Sequence, residues 1–290
     1  MLVSELICPV PVCSGKSGKS MSTATPSSID LAALIVSLGV LIVASLSDLK
    51  TREVSNRFWI IYAPVAAVLF IGRIVFAPDT AAILLVSAAA TIVVAFLLFQ
   101  FGAMGGADSK ALMCIALALP VAPAFLSPLW QGPLVFYPFP IAILVNSFLL
   151  SISMMFILLG KNVLSRSSAG KGLFQGFEKE SILRKALVLL TSYKTSFNAL
   201  QSSTYLYPAE QVAVVDSRPV RQLHLVSSVD EERDKLVAGL QGYKDQGLFS
   251  DGVWVTPGLP HLVFMTASLV VTVVIGDLLM WLFFRAVGVS

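Results

Sequence analysis

Charge is scarce in this chain of 290 residues: 13% are Asp, Glu, Lys or Arg, 56% are hydrophobic, and the mean hydropathy is +0.84. Soluble domains carry roughly 25% charged residues, so the composition excludes an ordinary soluble class and predicts an integral membrane protein. A formal charge of +3 is too small for a nucleic-acid footprint, and no nucleic-acid partner is expected. Cysteine is nearly absent. Cys8, Cys13 and Cys114 make no disulfide framework, and four residues separate the first two where a zinc knuckle has two, so unlinked thiols are expected. The first 28 residues lack the basic start and apolar centre of a secretory signal and read as a flexible tail. Within that tail, Gly15–Ser20 lacks the earlier glycine of a phosphate-binding loop, since Cys13 stands there, and no strand precedes it.

Histidine is scarcer still, with only His224 and His261. A serine nucleophile needs a base, and no Gly-x-Ser-x-Gly turn accompanies either residue. The His-Glu-x-x-His pair of a zinc hydrolase is missing as well, and no metal or organic cofactor is expected. Cys114 lies in an apolar run without a nearby base and reads as a buried thiol.

What the chain does have is long apolar runs. A span needs ~20 mostly apolar residues, and six runs qualify: Leu31–Leu46, Phe58–Phe76, Ala81–Phe101, Ala111–Leu126, Pro138–Leu159 and Leu259–Phe284. The first and fourth reach full length if Asp30 to Asp48 and Asp108 to Pro128 are included. The expected fold is thus an all-α membrane bundle of about six transmembrane helices with a small α+β insertion between the fifth and sixth. Its expected divisions are a tail over 1–28, a five-helix membrane domain over 29–160, a polar linker and small domain over 161–257, and a last helix with the C-terminus over 258–290.

Lys50, Arg52 and Arg57 crowd the first loop, and twelve Lys or Arg lie between 161 and 257. The loops around Pro78 and from Pro128 to Tyr137 carry none. The positive-inside rule then puts the first loop and the long polar segment in the cytoplasm. In this topology the first helix ends at the inner face at Asp48 and the fourth begins there at Asp108. Two carboxylates sixty residues apart in sequence arrive at one depth on one face.

Between Ile29 and Gly160 the only acids are Asp30, Asp48, Glu53, Asp79 and Asp108. Asp30 and Asp79 fall on the outer side. Glu53 lies in the basic loop, where pairing with Lys50 or Arg57 is expected. Asp277 lies sixteen residues past His261, about 24 Å along a helix, and is expected to make a structural polar contact. Asp48 and Asp108 remain. Carboxylates at a bilayer edge are costly and mark functional sites, and two held close share a proton. One can activate a water while the other protonates a scissile carbonyl. Each motif adds a lysine two residues on, Lys50 and Lys110, and Gly105 and Gly106 let backbone approach an extended peptide. The pattern points to a membrane-embedded aspartyl protease.

Ser47-Asp48-Leu49-Lys50-Thr51-Arg52-Glu53-Val54-Ser55-Asn56 and Gly105-Gly106-Ala107-Asp108-Ser109-Lys110-Ala111-Leu112 resemble the paired motifs of type IV prepilin peptidases, above all the archaeal preflagellin (prearchaellin) peptidases. Trp254-Val255-Thr256-Pro257-Gly258-Leu259-Pro260 before the last run is similar to that branch too. The resemblance implies a GxGD-type aspartyl protease of six spans. It would remove short basic leader peptides from prepilins or prearchaellins at the cytoplasmic face of the cell membrane, with Asp48 and Asp108 at the catalytic positions. Ala107 stands where the name-giving motif has Gly, and Ser55 where Pro often precedes the Asn. Bacterial relatives carry a cysteine-bearing insertion and N-methylate the product; nothing here matches it, and methyl transfer is not expected.

In the polar segment, Lys161 to Gly176 reads as a linker and Glu178–Lys194 as a helix. Gln211–Asp216 and Gln222–Ser227 have strand character, and Ser228 with Glu231 would cap a helix running to about Lys244. Gly247, Gly252 and Pro257 are expected to break the chain. Two rival readings use the same carboxylates: an intramembrane protease of the presenilin and signal-peptide-peptidase kind, whose aspartates sit deeper, and an ion-coupled transporter, which calls for inverted repeats and broken helices.

Overall fold

The computed structural model describes residues 27–130, 137–169, 173–215, 218–225 and 233–288. The tail with Cys8, Cys13 and Gly15–Ser20, and the cap expected from Ser228 and Glu231, lie outside these residues.

The membrane part opens with α1 (Ser27–Thr51), α2 (Asn56–Phe76) and, after a 3-10 turn at Pro78–Thr80, α3 (Ala81–Gln100). All three are long and apolar enough to span. They are apolar on every side, so the residues that face the core are marked by size and polarity. On α1 the inward stripe is Ala33, Ser37, Leu41, Ala44 and Ser45, small enough for close helix approach. On α2 it is Trp59, Tyr62, Ala66, Phe70 and Arg73. Ile60, Val68, Ile83 and Val86 point outward, exposed, as lipid contact requires.

The fourth expected span, Ala111–Leu126, is corrected. The helix there, α4 (Gly106–Ala118), has 13 residues and reaches only about 20 Å. Pro120 and Pro123 stop it, because proline has no N–H to continue the ladder. The irregular stretch that follows is held by side chains of α3 and α1. Ser87 donates to the Pro120 carbonyl, and the Ala124 N–H donates to Asp30 Oδ2 at 3.2 Å.

The fifth run forms α5 (Phe139–Ser151) and α6 (Ser153–Ala169), which together make a fourth candidate span over Phe139–Ser165. Helix thus occupies half of the segment read as a linker. The last run is bent: α10 (His261–Val274) and α11 (Leu278–Val287) meet at 58°. Gly276 sits at the bend with φ +108, and a Cβ there would lie 2.5 Å from the Trp130 carbonyl oxygen, so only glycine fits. Asn146 of α5 fills the break, donating to Thr272 Oγ1 and the Gly276 carbonyl and accepting from the Leu278 N–H. The Leu129 and Trp130 N–H groups take up the Val274 and Ile275 carbonyls. Asp277 caps α11 through Met280 N–H and accepts from the Tyr137 hydroxyl, a structural contact. Among the described residues there are therefore four candidate spans, or five if the bent pair is one, where six were expected.

The insertion is a small α+β unit. Its helices are α7 (Ile182–Thr191), α8 (Phe197–Ser202) and α9 (Arg233–Asp245). Strands β1 (Tyr193–Thr195) and β2 (Leu206–Pro208) flank β5 (Val253–Pro257) in an antiparallel sheet of order β1-β5-β2, and β3 (Glu210–Val215) pairs with β4 (Arg218–Leu223). The stretch expected to be a chain break is thus the central strand, with Val253, Trp254 and Val255 fully buried. Phe174 stacks on Trp254 at 5.1 Å. Arg221 grips Glu210 with two bonds of 2.7 and 2.8 Å, and Glu210 accepts from the Trp254 N–H, tying the hairpin to β5.

At the end of α1 far from Asp48, Asp30 pairs with Arg73 of α2 at 2.5 Å, both completely buried. Removing one partner of a buried pair typically costs roughly 3–5 kcal/mol, because the other charge is stranded. Asp30→Asn and Arg73→Met should each lower the thermal unfolding midpoint in detergent, and the double variant should recover part of the loss. A double variant no better than the worse single one would show that the two side chains act separately.

Candidate functional site

The site is assembled where three helix ends meet. Asp48 lies in the last turn of α1 and Asp108 in the first turn of α4. Each carboxylate is partly buried, with 16% of the Asp108 side chain exposed. Asp48 lies within electrostatic reach of Asp108, Arg52 and His261, and beside the backbone of Leu262. Leu262 is the second residue of α10. The positive dipole end of that helix favours a carboxylate there. On the other side, Ser45 Oγ donates to the Leu262 carbonyl at 2.9 Å and lies 2.7 Å from Thr266 Oγ1, locking α1 against α10.

Asp108 is placed by the short loop after α3. Gly105 precedes α4 with φ −65, a conformation open to any residue, so its need for glycine is spatial. A Cβ on Gly105 would lie 2.9 Å from Asp108 Oδ2. The carboxylate therefore rests against the bare Cα. Gly106 opens α4 with the Phe99 ring at 3.4 Å from where its Cβ would be. Lys110, one turn on, donates to Asn56 Oδ1 at 2.8 Å and fastens α4 to the start of α2. Lys50 is exposed and makes no ion pair among the described residues. Glu53 is exposed too, and among the described residues the expected pairing with Lys50 or Arg57 is not formed. Its backbone carbonyl instead accepts from Ser47 and Thr51.

Two contributors escaped the sequence reading. Arg52, just past α1, has φ +57, a left-handed conformation uncommon outside glycine. Its N–H closes α1 on the Asp48 carbonyl at 3.0 Å, and its guanidinium lies 5.0 Å from the centre of the Tyr205 ring in the small domain. Nε and Nη1 of Arg52 are buried without a hydrogen-bond partner. The second is His261, first residue of α10 and 6% exposed. Its Nδ1 faces Asp108 Oδ1 at 3.8 Å, and its Nε2 lies 3.2 Å from Ser147 Oγ of α5. In sequence the only hint of its position is that it closes the segment Trp254–Pro260 ahead of the last apolar run.

A family model described as the Type IV leader peptidase family matches residues 35–160, and one described as Archaeal Peptidase A24 C-terminus Type II matches residues 184–278. Together the two matches tie most of the membrane part and of the insertion to the type IV leader peptidases. It is similar to a preflagellin peptidase of Methanococcus voltae, 28% identical over 244 residues that cover 82% of this chain and 92% of the relative. A preflagellin peptidase of Methanococcus maripaludis (strain C6 / ATCC BAA-1332) is 26% identical over 253 residues, covering 84% and 94%. The protein is thus a multi-pass membrane peptidase. A broken helix, the mark expected of a transporter, is present at Gly276, but it lies fifteen residues from His261, about 22 Å along α10, and its polar groups are filled by Asn146.

The contact between Gly105 and Asp108 makes a direct prediction. Gly105→Ala must push the Asp108 carboxylate aside, since no other atom lies close. A displacement of about 1 Å costs on the order of 10²-fold in rate. Leader cleavage should fall by that order while the unfolding midpoint in detergent stays at the wild-type value; full activity would show that the position of Asp108 does not matter.

Proposed function

We propose that this peptidase is an aspartyl endopeptidase that cuts the short basic leader from prepilins or prearchaellins at the cytoplasmic face of the cell membrane. The observation that carries this reading is the meeting of Asp48 and Asp108 at the N-terminus of α10. Two carboxylates from helices sixty residues apart in sequence have no structural reason to be brought together at a cost in repulsion. A shared proton gives that arrangement a use. The ionised carboxylate takes a proton from water as the oxygen attacks the scissile carbonyl, and the protonated one donates to the carbonyl oxygen. Collapse of the tetrahedral species returns a proton to the departing amine, and the pair regains its single proton.

The small domain and the first loop lie at the same end of the bundle as the two aspartates, through Arg52 and Tyr205. This end carries the basic residues of the first loop and insertion, which supports the cytoplasmic orientation. Glu53, exposed beyond Asp48, offers a carboxylate to a basic leader, Lys50 stands exposed at the rim, and Lys110 supports the site by holding α4 to Asn56. The bared backbone at Gly105 and Gly106 fits an extended peptide. Nothing in the reaction draws on a methyl donor, and no methyl transfer is assigned.

Asp48→Asn and Asp108→Asn, in membranes supplied with a prepilin-like substrate, should each reduce cleavage by at least about 10³-fold at unchanged expression. Asparagine keeps size and polarity but carries no exchangeable acid proton. Cleavage near the wild-type rate by either variant would remove that carboxylate from the mechanism.

A further inference from the structure

His261 is buried against Phe148, with ring centres 5.1 Å apart, and touches the site with one nitrogen while the other is tied down. The tie fixes where its protons are. Ser147 Oγ donates its hydrogen to the Leu144 carbonyl at 2.6 Å, so toward the imidazole at 3.2 Å it can only accept. Nε2 therefore carries a hydrogen. Nδ1 is left buried, without a hydrogen-bond partner, facing Asp108 Oδ1 at 3.8 Å.

A bare nitrogen lone pair facing a bare carboxylate oxygen is repulsive. At 3.8 Å the two atoms are just beyond hydrogen-bond distance, and their approach is favourable in two forms: a protonated Asp108 directed at Nδ1, or an imidazolium directed at ionised Asp108. Both place a single proton between the same two atoms. We propose that His261 is a positioning residue for the reaction, holding that proton on the line between Nδ1 and Asp108 Oδ1 and so acting as a reserve for the aspartate pair. The inference rests on the two-aspartate reading.

Among the described residues the charged groups around the ring are few. Asp48 and, beyond it, Arg52 approach from the end of α1, Asp108 from α4, and α5 contributes only Ser147 and Phe148. The imidazole gives the cluster a third group that can hold a proton, so gaining one proton need not fill both carboxylates and losing one need not empty them. The pair then keeps its working protonation over a wider range than two carboxylates manage alone.

The test compares wild type with His261→Gln, whose amide reaches toward Ser147 but offers nothing at the Nδ1 position. Prepilin cleavage is followed from about pH 5 to pH 8, the range where imidazole titrates. The expected result is a kcat loss of about tenfold near the optimum, KM within about twofold, and a pH profile narrower by about one unit, chiefly on the acid side. Ser147→Ala keeps the ring but frees it, and should give a smaller loss with the same narrowing; it decides alone if His261→Gln fails to fold. A uniform drop at every pH, or an unchanged profile, overturns the proposal. Asp48→Asn and Asp108→Asn run alongside. If either cleaves normally, the two-aspartate reading fails; if both are inactive while the His261 and Ser147 variants match wild type, only the present inference fails.

Discussion

A bilayer core offers no hydrogen-bond partners, so a polar group carried into it must be met by another part of the chain. Much of the membrane architecture follows from that demand. Tyr62 donates to Ser37 and Ser37 to the Ala33 carbonyl, binding α2 to α1. Asp30 and Arg73 neutralise each other at the far end of the same pair. Where helices stop early or bend, side chains take up the freed backbone groups: Ser87 at Pro120, Asn146 at Gly276. The two aspartates obey the same rule, meeting the amide end of α10 and the imidazole of His261 rather than lipid.

That dependence makes the first turn of α10 the keystone, and it gives the small domain a mechanical role. Strand β5, pinned between β1 and β2 with a fully buried Trp254, runs through Gly258 to Pro260 directly into α10. The Gly258 N–H donates to the Tyr205 carbonyl at 2.8 Å, while the Tyr205 ring covers the Arg52 guanidinium. One residue of the insertion thus touches both the strand that aims α10 and the cation beside Asp48. Movement of the domain would shift Leu262, His261 and Arg52 together.

Much of this was legible in the sequence where charge is rare. Asp48 and Asp108 stand out because apolar runs isolate them, and topology alone predicts that α1 and α4 bring them to one end. The first strand of the hairpin was visible near Gln211, but the second was expected at Gln222–Ser227 where β4 runs Arg218–Leu223, because Pro219 argues against a strand start there. The fourth span was misread because Leu119, Val121 and Leu126 prolong the hydrophobic run while Pro120 and Pro123 end the helix. The bend at Gly276 was hidden inside an apolar stretch, and β5 was mistaken for a break because glycines and a proline frame a strand of only five residues. His261 and Arg52 were missed for another reason: their importance lies in contacts with Ser147, Asp108 and Tyr205, which are distant in sequence and leave no local pattern.

The central claim is that the ends of α1 and α4 form one site in the membrane-bound protein. The most direct measurement replaces Asp48 and Asp108 together by cysteine, with the three native cysteines changed to serine, and treats membranes with dibromobimane, which fluoresces strongly only when it bridges two neighbouring thiols. The account predicts bridging for Asp48→Cys with Asp108→Cys, and only background when Asp48→Cys is combined with Thr80→Cys beyond the far end of α2. Equal signals from the two pairs, or none from the first while each single thiol still labels, would contradict it.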